Sequence, residues 1–113
     1  MSQPWRRGAV LWAELDPARG REQAGRRPVL VIASDGYLDV VETLTIIIPV
    51  TTVDRGWPNH VPLTGATGLA QASWAMTEQP RTIDRSRIAG VAGQVDGATL
   101  AAVDLWLRDF LGL

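Results

Sequence analysis

The sequence predicts a mainly β protein, β with a C-terminal α element: a small, strongly curved antiparallel barrel with one helix packed on it. Three observations carry this reading. Short runs rich in Val, Ile, Leu and Trp recur at roughly 8–15, 28–33, 43–50, 59–63, 71–76 and 87–92, separated by Gly, Pro, Asn and Asp, the residues that punctuate strands. The clearest helical spacing is in the last segment. The chain has 113 residues with no internal repeat, low-complexity tract or linker, so residues 1–113 form a single domain able to bury a modest core.

The elements follow in order. Val10-Leu11-Trp12-Ala13-Glu14-Leu15 is the first strand, and Val29-Leu30-Val31-Ile32 the second. Between them lies a long loop holding Arg19, Arg21, Arg26 and Arg27 among turn formers. Asp35-Gly36-Tyr37-Leu38-Asp39 has room for one helical turn. Leu44-Thr45-Ile46-Ile47-Ile48 is continuous rather than alternating, as expected of a strand covered on both faces. At the end, Asp96 can cap a helix whose stripe is Leu100, Val103, Leu107 and Phe110, and Gly112 can close it. Asp104 and Arg108 are spaced as an exposed i, i+4 pair. Trp12 and Trp106 fall in the strand and helix patterns as core residues.

Composition narrows the function. There is no cysteine, hence no disulfide, thiolate nucleophile or cysteine-based zinc site. No run of about twenty apolar residues could span a membrane, and the N-terminus lacks the apolar region of a signal peptide; a cytoplasmic protein fits. Net charge is −1, which argues against a generally basic nucleic-acid coat. The distribution is uneven. Residues 1–27 hold six arginines against Glu14, Asp16 and Glu22, whereas residues 28–54 hold no arginine and four acids. A one-sided positive surface suits a small anionic ligand or a short RNA better than a long duplex.

Arginine on a loop between strands is placed for phosphate, because loops on a rigid sheet carry function and guanidinium forks match phosphate geometry. Arg27 precedes Pro28, which forces it toward extended backbone. Its alternative is a surface ion pair with Glu14 or Glu22. Thr51, at the end of a buried strand, could donate to a phosphate oxygen or only close its own strand. Trp57, in Arg55-Gly56-Trp57-Pro58, could stack an unpaired base or anchor its loop. The single histidine, His60, excludes a paired-histidine ribonuclease mechanism and reads as a half-exposed strand residue. No Asp/Glu/His cluster has metal-ligand spacing, so neither metal nor cofactor is expected.

Arg7-Gly8, Trp12, Leu15-Asp16-Pro17 and Glu22-Gln23-Ala24-Gly25-Arg26-Arg27-Pro28-Val29 closely resemble the N-terminal signature of the MazF/PemK (Kid) toxins. Ile47-Ile48-Pro49-Val50-Thr51-Thr52, Val61-Pro62-Leu63 and Glu78-Gln79-Pro80-Arg81-Thr82-Ile83-Asp84 resemble the blocks that follow. The resemblance spans almost the whole chain, in order. It implies an SH3-like barrel, a homodimer, and a sequence-specific, metal-independent endoribonuclease that cleaves single-stranded mRNA, inhibits growth and is neutralised by a cognate antitoxin with a disordered acidic tail.

It also implies Arg27, Thr51 and Glu78 as catalytic residues. Arg19, Arg21, Glu22, Gln23, Arg26, Thr52, Trp57 and Gln79 then become RNA contacts. The Kid branch has aspartate where Glu78 stands, assigned as a general base, with an arginine and a histidine at the places of Met76 and Arg21; its proton-donor scheme therefore cannot transfer intact. Glu78 could instead cap the Gln79-Pro80 turn. The alternative is a non-nuclease binding protein of the same fold, a gyrase-poison-like toxin or an interaction module. The gyrase-poison branch ends in Trp-Gly-Ile, unlike Phe110-Leu111-Gly112-Leu113 here.

Overall fold

The computed structural model describes residues 4–15 and 25–113. Arg19, Arg21, Glu22 and Gln23 lie outside the described residues. The element order is β1 (Ala9–Glu14), β2 (Arg26–Val31), α1 (Asp35–Val40), β3 (Leu44–Thr51), β4 (His60–Pro62), β5 (Trp74–Met76), β6 (Arg81–Asp84), β7 (Ile88–Gln94) and α2 (Gly97–Leu111). Every strand pairing is antiparallel. The main path runs β4-β5-β3-β2-β1-β7, with β6 joined to β3 off it.

The sheet is curled and antiparallel, as expected, and its end strands β4 and β7 are not paired with each other among the described residues. The path branches at β3. Its first half pairs with β6, from Leu44↔Asp84 to Ile47↔Arg81, and its end pairs with β5 at Val50↔Ala75 and Thr51↔Trp74. The outer edge of β3 therefore forks. Pro49, which has no N–H for a ladder, sits at the changeover. β6 itself, at residues 81–84, was not among the strand runs expected from the sequence.

Alternation along β1–β3 feeds two cores, one on each face. Leu11, Ala13, Val29, Val31 and Ile47 join Trp5 and Leu38 of α1 on one side. Val10, Leu30, Ile48 and Val50 meet Val103 and Leu107 of α2 on the other. This is the two-sided cover expected of the Leu44–Ile48 run. Each buried Leu or Ile contributes about 1.5–3 kcal/mol by leaving water.

Asp96 caps α2 by accepting from the Thr99 amide at 2.9 Å. The Thr64 hydroxyl donates to the same carboxylate at 2.7 and 2.8 Å, tying the helix start to the 63–68 turn. Gly112 closes α2 at φ 70°, the left-handed region glycine enters without a Cβ penalty. Two expectations are corrected here. Phe110 is 46% exposed, its ring set against that of Trp106 at 5.6 Å rather than in the core. Asp104 pairs with Arg7 rather than Arg108, since the Arg7 guanidinium, anchored on the Ile32 carbonyl at 3.1 Å, reaches across from the N-terminal segment.

Candidate active site

Arg27 stands second in β2, opposite Ala13, and is exposed. The Pro28 that follows it holds the strand entry extended, as expected. Among the described residues the Arg27 side chain has no hydrogen-bond or ion-pair partner; Glu14 lies opposite Arg26 instead. β2 and β3 are neighbours with Val29↔Pro49 and Leu30↔Ile48 in register. Two residues further toward the ends of both strands, that register sets Arg27 across from Thr51. Opposed residues of antiparallel strands share a face. The Thr51 Oγ1 accepts from the Val53 amide at 3.1 Å, so its hydroxyl proton remains available to an outside acceptor.

The two side chains line one open depression of about 530 Å³, together with Leu15, Met76, Gln79, Pro80 and Arg81. No carboxylate lines it among the described residues. On the other side of Arg27 lies a second hollow of about 310 Å³, lined by Trp12, Arg26, Thr52, Gln71 and Ser73. Arg27 borders both. Trp12 is half-buried and forms part of this wall, which corrects its assignment to the core. Leu15, Met76, Arg81 and Gln71 were not singled out for these walls from sequence. Arg81 is reachable only through the Ile47↔Arg81 register, a pairing that spans a long stretch of chain.

Glu78 lies elsewhere. Its side chain is 28% exposed and borders a separate hollow with Leu107, Phe110 and Leu111 of α2. Three donors converge on its carboxylate: Asn59 Nδ2 at 2.9 Å, Gln79 Nε2 at 3.2 Å and His60 Nε2 at 3.0 and 3.1 Å. Partial burial pushes its pKa up, but the hydrogen bonds, led by that of His60, outweigh it and hold the carboxyl below its ordinary value. His60 is buried, with its side chain 2% exposed, which corrects the half-exposed reading. Trp57 packs its ring 4.7 Å from that of His60 and is still 49% exposed. It is therefore anchored on one side and open on the other.

The expected arginine surplus also resolves by position. Arg6 pairs with Asp35 at 3.3 Å and Asp39 at 2.9 Å, and Arg7 with Asp104. Arg85 donates to the carbonyls of Leu38, Val41 and Leu44, where α1 ends and β3 begins. Arg26, Arg27 and Arg81 are the described arginines that line the two hollows beside Thr51 and Thr52. Among the described residues no group of three or more His, Cys, Asp or Glu is arranged to hold a metal ion, and no helix is long and apolar enough to cross a membrane.

A curled antiparallel sheet with a C-terminal helix is the fold of a class of small proteins, the solved MazF structures from Deinococcus radiodurans among them. The chain belongs to that class by sequence: residues 6–111 match the family described as PemK-like, MazF-like toxin of type II toxin-antitoxin system. It is 34% identical to endoribonuclease MazF9 of Mycobacterium tuberculosis, over 96% of this chain and 97% of that one. Against endoribonuclease toxin MazF of Escherichia coli K12 the identity is 36%, over 93% and 92%. Among solved structures, MazE-MazF from Deinococcus radiodurans superposes with a TM-score of 0.80 at 30% identity, covering 99% of each chain.

Proposed function

We propose that this chain is a sequence-specific endoribonuclease toxin that cleaves single-stranded RNA in the depression between Arg27 and Thr51 and is neutralised by a cognate antitoxin. The observation that carries the reading is the register of β2 on β3, which runs out toward Arg27 and Thr51, where the two side chains line one open depression. Membership of the toxin family and the endoribonuclease relatives support it, and MazF structures with MazE support the antitoxin. A homodimer and a cytoplasmic location accompany the reading. No observation favours the gyrase-poison or interaction-module alternative.

RNA carries its own nucleophile. The protein needs only to align the 2′-hydroxyl with phosphorus, receive its proton, and stabilise the pentavalent phosphorane. Arg27, protonated at any ordinary pH, neutralises the extra charge and gives a proton to the departing 5′-oxygen. Thr51 donates to a non-bridging oxygen and holds the water that takes the 2′-proton; Arg27 recovers its own proton from solvent. The products are a 2′,3′-cyclic phosphate and a 5′-hydroxyl. Glu78, engaged by three donors and outside the depression's lining, serves this scheme by positioning Gln79. Arg26, Thr52 and Gln79 line the path of the strand. Trp57 offers its open face to a base, a contact worth about 1–3 kcal/mol.

The test is substitution at Arg27. Arg27→Ala removes the charge and both fork donors and should slow single-turnover cleavage by at least about 100-fold, with the melting temperature unchanged because an exposed arginine contributes little to stability. Arg27→Lys should recover only part of the rate, since a point charge lacks the fork. Thr51→Ala should cost less than Arg27→Ala. Full activity in Arg27→Ala would place the chemistry elsewhere.

A further inference from the structure

Beside the depression lies a polar cluster that the reaction scheme leaves without a role for its central member. His60 opens β4, opposite Met76 of β5. Its Nε2 meets both oxygens of Glu78, while Nδ1 is buried with no partner among the described residues. A carboxylate oxygen only accepts, so the ring nitrogen that faces it carries a proton. The Nε2–H therefore donates to Glu78, and the carboxylate fixes the tautomer.

The Glu78 carboxylate receives only donors, from His60, Asn59 and Gln79, so the position demands an all-acceptor group. An apolar residue at position 60 would be buried more cheaply than this pair. What the imidazole adds is direction. It aims Glu78, which in turn holds the Gln79 amide; Gln79 lines the depression with Arg27 and Thr51. The same ring backs Trp57, so a single buried side chain supports two surface groups from separate segments.

We propose that His60 is a positioning residue for RNA cleavage, acting through Glu78 to fix Gln79 at the rim of the Arg27–Thr51 depression and through its ring to hold Trp57. The inference rests on the RNA-cleaving reading above. It assigns His60 no proton transfer to substrate. Its contribution is to keep the substrate strand aligned with a site whose reacting groups lie on the neighbouring strands.

The test begins with wild-type protein and a long RNA, to map the cut. An oligonucleotide of that sequence, with 2′-deoxyribose 5′ to the cut, then serves as an uncleavable probe. The chain has one histidine, so its imidazole nitrogen resonances are unambiguous; these and the Gln79 side-chain amide should shift when the probe binds. His60→Gln carries an amide nitrogen to the Nε2 position, whereas His60→Asn stops short of Glu78. His60→Asn should slow single-turnover cleavage at saturating RNA by about 10–100-fold, the scale of a small misalignment, with little change in half-saturating RNA. His60→Gln should restore most of the rate. Gln79→Ala should add little to His60→Asn, because both cut one chain of contacts.

Wild-type rates in folded His60→Asn, equal damage in both His60 variants, or additive losses with Gln79→Ala would overturn the proposal. If His60→Asn does not fold, the wild-type resonances decide: no shift on probe binding overturns it and a shift supports it. Wild-type protein that cuts no RNA would defeat the parent reading instead.

Discussion

At the scale of single residues, Arg27 differs from the arginines that tie the fold together. Arg6, Arg7 and Arg85 each hold the fold together through acids or carbonyls, while the Arg27 side chain borders the two hollows with no partner among the described residues. Glu78 shows the reverse: a carboxylate that looks catalytic in sequence is held by three donors. Its role is checked by Glu78→Gln, which brings an amide NH₂ among donors. The variant should cleave more slowly, by less than Arg27→Ala, and melt at lower temperature. A loss of rate as large as that of Arg27→Ala, with the melting temperature unchanged, would make Glu78 the general base. The folded-state pKa of Glu78 is depressed, so its stabilisation is present above the unfolded value, near about 4.3, and disappears as pH falls through the folded one. Melting temperature measured downward from pH 5 should therefore fall more steeply in wild type than in Glu78→Gln.

At the scale of elements, the positions of the reacting groups follow from β3. Its covered run fixes which residues face each core, and its fork at Pro49 lets Thr51 pair with β5 while Arg81 arrives on β6. The run itself was legible, because continuous β-branched residues have few other fates. So was α2, whose cap Asp96 and closing Gly112 serve as expected. Asp96 also accepts from Thr64, which couples helix and turn. Asp96→Ala should lower the melting temperature more than Asp96→Asn, which keeps an acceptor at the cap; equal losses would make charge, rather than capping, the dominant effect. β6 escaped detection because Arg81-Thr82-Ile83-Asp84 offers a single buried apolar residue and depends on a distant partner. His60 misled for a related reason: its burial is created by Trp57 and Glu78, from two loops, and no local pattern reports such a meeting. Trp12 reads as core by periodicity, and only the hollow beside Arg26 shows otherwise.

At the scale of the molecule, a chain of net charge −1 handles an anion by concentrating charge. Among the described residues the N-terminal arginine surplus is partly consumed by Asp35, Asp39 and Asp104, and Arg26 and Arg27 stand beside the two hollows. On the proposed reading such a site takes a few phosphates of a flexible strand, so its binding should weaken only modestly with salt compared with a protein that neutralises many phosphates. The fold supplies the rest. A sheet covered on both faces holds β2 and β3 rigid, so the Arg27–Thr51 spacing is set before substrate arrives, the condition for electrostatic preorganisation. The central claim is that this pair drives attack by the RNA's own 2′-hydroxyl. The most direct measurement is cleavage of a long RNA in EDTA, followed by kinase labelling of the products without phosphatase treatment. Cleavage should be undiminished, and the 5′-hydroxyl ends should label at once. A requirement for added metal, or ends that label only after phosphatase, would contradict it.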